Sequence, residues 1–174
     1  MERTIAIETH GCKLNQADTE KIARQFSDKG YKLVDIEDCP DVIVVNSCTV
    51  THVADAKARQ ALRSAKRQKS NPIVIATGCY AERDPAALLK MKSVDLVLGN
   101  KQKGELTEFT KLVIAGRLSY NQFEGKPTSN SRTRTRAMIK IQEGCNQICA
   151  FCIIPRVRGR ERSIPVELLI KEIE

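Results

Sequence analysis

The chain has 174 residues, of which 41% are hydrophobic, and 29 Lys plus Arg against 21 Asp plus Glu give a formal net charge of +8. This length accommodates one full domain and part of another, and no apolar run approaches the roughly 18 residues of a membrane span. Seven cysteines behind a start, Met1-Glu2-Arg3, that lacks a signal-peptide pattern argue against a disulfide-framed secreted module. They favour reduced, metal-ligating thiols in the cytoplasm.

Short β-branched runs alternate with helical patterns from the first residues onward. A strand over 4–9 leads to a helix near 17–29, for which Asp18 and Thr19 offer capping groups and Gly30 a stop. A short strand over 32–34 and a strand over 42–46 follow. A long helix around 52–69 presents Ala54, Ala58, Ala61 and Ala65 as a small-residue face for packing on a sheet. Strand 73–77 comes next, then a helix near 85–91 opened by Asp84-Pro85, a strand over 94–98, and a helix near 102–115 closing at Gly116. The alternation predicts an α/β fold over residues 1–116, an N-terminal parallel sheet flanked by helices in the Rossmann or flavodoxin-like manner. Residues 117–135, rich in Ser, Thr and Asn with Gly125 and Pro127, read as a linker. A second domain starts over 136–174, where Ala137 to Ile141 predicts a strand and Pro165 to Glu174 a helix that has just begun.

Two sets of cysteines stand out from this frame. Cys12, Cys48 and Cys79 each lie just past a predicted strand, at the carboxyl edge where parallel sheets bind ligands. Cys145, Cys149 and Cys152 place three thiols within eight residues with no fourth ligand nearby. Three thiolates suit an iron–sulfur cluster with one iron open to a non-protein ligand. Zinc fits less well, since a structural site wants four protein ligands and His10 and His52 lie far upstream. Both histidines read more simply as hydrogen-bonding or surface groups, and Cys39, beside Pro40, belongs to neither set.

Charge is concentrated around the second set. Residues 132–162 carry eight basic and two acidic side chains, with Arg132, Arg134 and Arg136 before the cysteines and Arg156, Arg158, Arg160 and Arg162 after them. Such a stretch is either a solvated linker or a surface that holds a polyanion beside the cysteines.

The three-plus-two cysteine spacing, with Phe151 before the last thiol, resembles the signature of radical S-adenosylmethionine enzymes. Thr9-His10-Gly11-Cys12-Lys13-Leu14-Asn15-Gln16, Asn46-Ser47-Cys48-Thr49-Val50, Thr77-Gly78-Cys79 and Lys140-Ile141-Gln142-Glu143-Gly144-Cys145-Asn146 together resemble the methylthiotransferase family over essentially the whole chain. The Gly-Cys-Lys-Leu-Asn and Ile-Gln-Glu-Gly-Cys-Asn-Gln forms look most like the branch that acts on N6-threonylcarbamoyladenosine of tRNA. Sister branches act on isopentenyladenosine in tRNA or on an aspartate of a ribosomal protein.

The resemblance implies two 4Fe–4S clusters. Cys145, Cys149 and Cys152 would hold the one that binds S-adenosylmethionine, with Phe151 against its adenine, and Cys12, Cys48 and Cys79 would hold an auxiliary one. The first would generate a 5′-deoxyadenosyl radical and the second would present sulfur for insertion at C2 of the modified adenosine, in the anticodon stem-loop. An electron donor and a sulfur donor would be the further partners. Asn15 and Asn46 are expected to donate hydrogen bonds to cluster sulfur. Residues 136–174 would be the first elements of a partial barrel, and the chain is expected to be a fragment lacking turnover by itself. Two rivals stand beside this reading: a zinc-stabilised RNA-binding module without catalysis, and an α/β protein whose cysteines form reversible disulfides.

Overall fold

A computed structural model of the chain describes residues 3–117 and 138–173. Five strands form one parallel sheet: β1 (Thr4–Thr9), β2 (Lys32–Leu33), β3 (Val42–Ser47), β4 (Ile73–Gly78) and β5 (Leu96–Leu98), in the order β2-β1-β3-β4-β5. This is the flavodoxin-like order, and the expected α/β class is what is observed. All six residues of β3 and of β4 are buried, which is why their sequences run as unbroken β-branched stretches without alternation.

The two faces of these strands make two cores. On one face Ile5, Val42, Val44, Ile73 and Ile75 pack with Ile22 and Phe26 of α1 (Lys13–Asp28) and with Leu106 and Ile114 of α5 (Leu106–Arg117). On the other, Ile43, Val45, Val74 and Ala76 meet Ala58, Ala61, Leu62 and Ala65 of α2 (His52–Lys66), together with Tyr80 of α3 (Cys79–Arg83) and Leu88 of α4 (Pro85–Leu89). The alanine stripe is thus a packing face, letting α2 lie close to the sheet. Asp84 caps α4 through its carboxylate, which accepts from the Ala87 amide at 3.1 Å, with Pro85 in the first turn as expected.

Several expectations need correction. Helix α1 starts at Lys13, four residues before the predicted start, because Cys12 already has the extended backbone of an N-cap, φ −84° and ψ 175°, without a side-chain cap bond. Asp18 and Thr19 are therefore interior to the helix, and Asp18 is buried. The helix predicted at 102–115 is split into a 3₁₀ segment, Asn100–Glu105, and α5. Residues 138–141 are not a strand. Among the described residues they have no ladder partner, and only β6 (Gln142–Glu143) pairs, antiparallel, with β7 (Arg162–Ser163). Between these lies α6 (Ile154–Arg158), and α7 (Val166–Ile173) ends the described chain. Ala137, Arg132, Arg134, Arg136 and nearly all of the predicted linker lie outside the described residues.

Candidate metal centre at the carboxyl edge of the sheet

Strand order decides where the first cysteine set goes. The chain leaves β1 towards β2 on one side and leaves β3 towards β4 on the other, so the β1/β3 boundary is a topological switch point with a crevice beyond the strand ends. Thr9 pairs with Asn46, and the His10 amide donates to the Asn46 carbonyl at 2.9 Å, so the loops bearing Cys12 and Cys48 leave the sheet side by side. Ser47 pairs with Gly78, which brings the residues that follow, Cys48 and Cys79, out of adjacent strands at the same level.

Two glycines permit this closeness. A Cβ on Gly11, whose φ is +134°, would lie 2.9 Å from the Cys48 Cβ and 2.8 Å from Asn15 Nδ2. A Cβ on Gly78, φ +96°, would lie 2.3 Å from the Ser47 carbonyl oxygen. Neither contact leaves room for a side chain, and neither φ suits one. The Ser47 hydroxyl completes the seam by donating to the Thr77 carbonyl at 2.8 Å.

Cys48 and Cys79 are buried and Cys12 is exposed. Cys79 opens α3, a short helix that no sequence signal marks, and the Asn100 Nδ2 lies 3.9 Å from its sulfur. Among the described residues, no group of three Cys, His, Asp or Glu side chains is drawn in to the separations at which they would share one ion. The three cysteines are brought to one edge, with their thiols not closed around a common point.

The asparagines do something other than expected. Asn15 Nδ2 donates to the His10 and Ser47 carbonyls at 3.0 and 3.1 Å, and Asn46 Nδ2 donates to the Asn15 carbonyl and Thr19 Oγ1 at 2.8 and 3.0 Å. Each amide has spent both of its donors on the protein, so both tie the cysteine-bearing loops to α1 and have none left for a cluster sulfur. His10 is likewise engaged, with Nε2 2.8 Å from Glu8 Oε1, and His52 is the first residue of α2.

Behind the edge lies a buried charge network with no counterpart in the sequence reading. Asp18, 3% exposed, contacts Lys103 at 2.6 Å, Lys140 at 2.8 Å and Arg158 at 3.0 Å. Glu143 pairs with Lys140 at 3.1 Å and with Arg158 at 2.9 Å. Burial by itself would raise the Asp18 pKa, but Lys103 and Lys140 hold it down at about 2. Lys103 is itself lowered, because burial outweighs the single carboxylate it faces, whereas Asp18 is served by three cations. Burial opposes the charge on Arg158, yet the negative charge of a Cys79 thiolate and of Asp18 raises its pKa.

Three cations against two carboxylates leave one positive charge in the interior next to Cys79. Such a surplus calls for an anion, and a thiolate-ligated cluster is one. Asn46 Oδ1, Thr77 Oγ1 and Asn100 Oδ1 are also buried without a hydrogen-bond partner among the described residues, all at this end of the sheet. The Thr77 hydroxyl is a free donor there. Donor set, surplus charge and unpaired hydroxyl fit an anionic metal–sulfur group.

The second set lies on the loop between β6 and α6. Cys145 is held by its amide donating to the Gly159 carbonyl at 3.1 Å, and the Gln147 amide donates to the Cys145 sulfur at 3.4 Å, the kind of contact that tunes a ligating thiolate. Cys145 and Cys152 are half-buried and Cys149 is exposed. Phe151 and Ile148, 93% and 99% exposed, project from the same loop. Of the four arginines that follow the loop, Arg156, Arg160 and Arg162 are exposed, but Arg158 is sealed inside and cannot meet a polyanion.

What these features define is a doubly wound α/β domain with a cysteine-lined carboxyl edge, joined through buried charge to a second cysteine loop. Residues 4–99 match the family described as Uncharacterized protein family UPF0004. The chain is 42% identical over 98% of its length to the threonylcarbamoyladenosine tRNA methylthiotransferase MtaB of Aquifex aeolicus, and 38% identical over 98% to that of Bacillus subtilis. It is 32% identical over 99% to the tRNA-2-methylthio-N(6)-dimethylallyladenosine synthase of Porphyromonas gingivalis. It spans 44%, 40% and 40% of the lengths of those three relatives. The chain belongs to the UPF0004 family, whose model matches more than half of it.

Proposed function

We propose that the chain is the cysteine-bearing N-terminal portion of a tRNA methylthiotransferase that modifies N6-threonylcarbamoyladenosine at C2, in the anticodon stem-loop, in the cytoplasm. The observation that carries this reading is the delivery of Cys12, Cys48 and Cys79 to the switch-point edge of one sheet, with a buried positive charge behind them. Relatives named for threonylcarbamoyladenosine reach 42% identity, against 34% for those named for dimethylallyladenosine, which favours the former substrate. Among the described residues no helix is long and apolar enough to cross a membrane.

On this reading Cys12, Cys48 and Cys79 hold one 4Fe–4S cluster and Cys145, Cys149 and Cys152 another. When bound, the clusters and S-adenosylmethionine supply the radical and sulfur chemistry. The residues of this chain hold, orient and shield. Asn15 and Asn46 fix the loops from which Cys12 and Cys48 project, and the network around Asp18 neutralises added negative charge. Gln147 donates to the Cys145 sulfur, and Phe151 offers an exposed ring to stack against adenine. Arg156, Arg160 and Arg162 give the surface a positive rim for RNA phosphates.

Anaerobic reconstitution followed by iron and sulfide analysis tests the reading. About eight irons and about eight sulfides per chain are expected, falling by half when either triad is changed to serine. One zinc per chain without sulfide would instead identify the RNA-binding module.

A further inference from the structure

We propose that Arg158 is a positioning residue that locks the second cysteine loop onto the first triad and so sets the separation of the two sites. The proposal rests on the cluster reading above, and its test separates the two.

Every contact of this guanidinium leads to a segment that carries a cysteine. Nη2 donates to Asn15 Oδ1, three residues past Cys12, and the same Asn15 binds the carbonyls of His10 and Ser47, which flank Cys12 and Cys48. Nη1 donates to Asp18 at 3.0 Å in the same helix and to Glu143 at 2.9 Å, two residues before Cys145. One side chain, 1% exposed, thus touches the supports of Cys12, Cys48 and Cys145 at once.

The adjoining backbone makes the same connection. The Gly159 carbonyl accepts from the Cys145 amide at 3.1 Å, and the Val157 carbonyl accepts at 2.7 Å from Asn100, whose amide also faces the Cys79 sulfur. A Cβ on Gly144 would meet the Arg160 carbonyl at 2.1 Å, so the loop and the turn after α6 are in direct backbone contact. A planar fork with five fixed donors can hold three directions rigidly, which a lysine cannot. Burying such a cation is costly, and apolar residues would hold two segments together at least as well. What the arginine adds is a defined geometry.

The test uses the 174-residue chain with Arg158→Gln, Arg158→Lys and Glu143→Gln, and the exposed Arg63→Gln on α2 as control. In the metal-free protein, hydrogen exchange at the Cys145 amide is expected to quicken about tenfold or more in R158Q, R158K and E143Q, while amides of β3 and β4 and the control stay unchanged. After reconstitution with iron and sulfide, R158Q and R158K are expected to keep wild-type iron content while the line shape and spin relaxation of the two reduced clusters change. Because R158K preserves charge, a change there reports geometry. E143Q removes the β6 anchor of Arg158 together with the Lys140 pair, and keeps the test open should R158Q fail to fold. Exchange unchanged in R158K and E143Q overturns the proposal, as does an unchanged spectrum at full iron content. A wild-type chain that takes up no iron and sulfide overturns the cluster reading instead, while the exchange measurement still decides whether Arg158 locks the loop.

Discussion

Replacing Asp18 by Asn is expected to unsettle the molecule more than any surface change, and in a pH-dependent way. The carboxylate is 3% exposed and is the shared partner of Lys103, Lys140 and Arg158. Its pKa falls from 3.8 to about 2 on folding, and at 1.36 kcal/mol per unit this corresponds to about 2 kcal/mol of stability. Because the folded value is the lower one, that contribution is complete above pH 4 and is lost as pH falls through about 2. Asp18→Asn goes further at neutral pH, taking from Lys103 the carboxylate it pairs with and leaving buried Arg158 and half-buried Lys140 with Glu143, and breaking a buried pair in this way costs about 3–5 kcal/mol. Urea unfolding of both proteins at several pH values measures the difference. It should be about 3 kcal/mol or more at pH 7 and shrink between pH 4 and pH 2 as the wild-type carboxyl takes up its proton. A difference below about 0.5 kcal/mol at pH 7, or one that does not change over that acid range, would refute the assignment of Asp18 as the centre of the network.

Gly78→Ala should lose about 2–4 kcal/mol in thermal or urea unfolding, because the new methyl would sit 2.3 Å from the Ser47 carbonyl at a φ of +96°. Gly104→Ala, with nothing within 4 Å of the added carbon, is the matched control and should be neutral within about 0.5 kcal/mol. For RNA, changing Arg156, Arg160 and Arg162 together to Gln should weaken binding of an anticodon stem-loop and flatten the dependence of log affinity on log salt by roughly one unit for each phosphate no longer neutralised. An equal weakening at every salt concentration would show that these arginines do not meet phosphates.

The parts of the fold that could be read from sequence are those whose cause is local. Strands β3 and β4 are buried on both faces, so their residues had to be apolar in unbroken runs, and the cysteines after them followed from the rule that parallel sheets gather ligands at carboxyl ends. Asp18 shows the opposite case. A carboxylate near a predicted helix start reads as a cap, but its partners Lys103, Lys140 and Arg158 are 85, 122 and 140 residues away. The one clue was its position on the stripe Asn15, Asp18, Ile22 and Phe26, the buried face of α1, where a polar residue needs a partner from another element. Arg158 carried no clue at all, since within a run of arginines the buried one looks like its exposed neighbours. Of the strand expected at 137–141, residues 138–141 have no ladder partner among the described residues, and an apolar run without a paired edge has no reason to be a strand.

Exposure also orders the first triad. Cys48 and Cys79 leave neighbouring buried strands and stay buried, with the positive interior behind them, whereas Cys12 leaves β1 at the switch point and remains exposed. Cys48 and Cys79 would hold an anionic group from the buried side of this edge and Cys12 from its exposed rim. The charge network sits on the opposite, inward side, joining this edge to the loop of Cys145. The division follows from topology: the switch point opens the crevice outward, and the helix that starts at Lys13 carries the counter-charges beneath it.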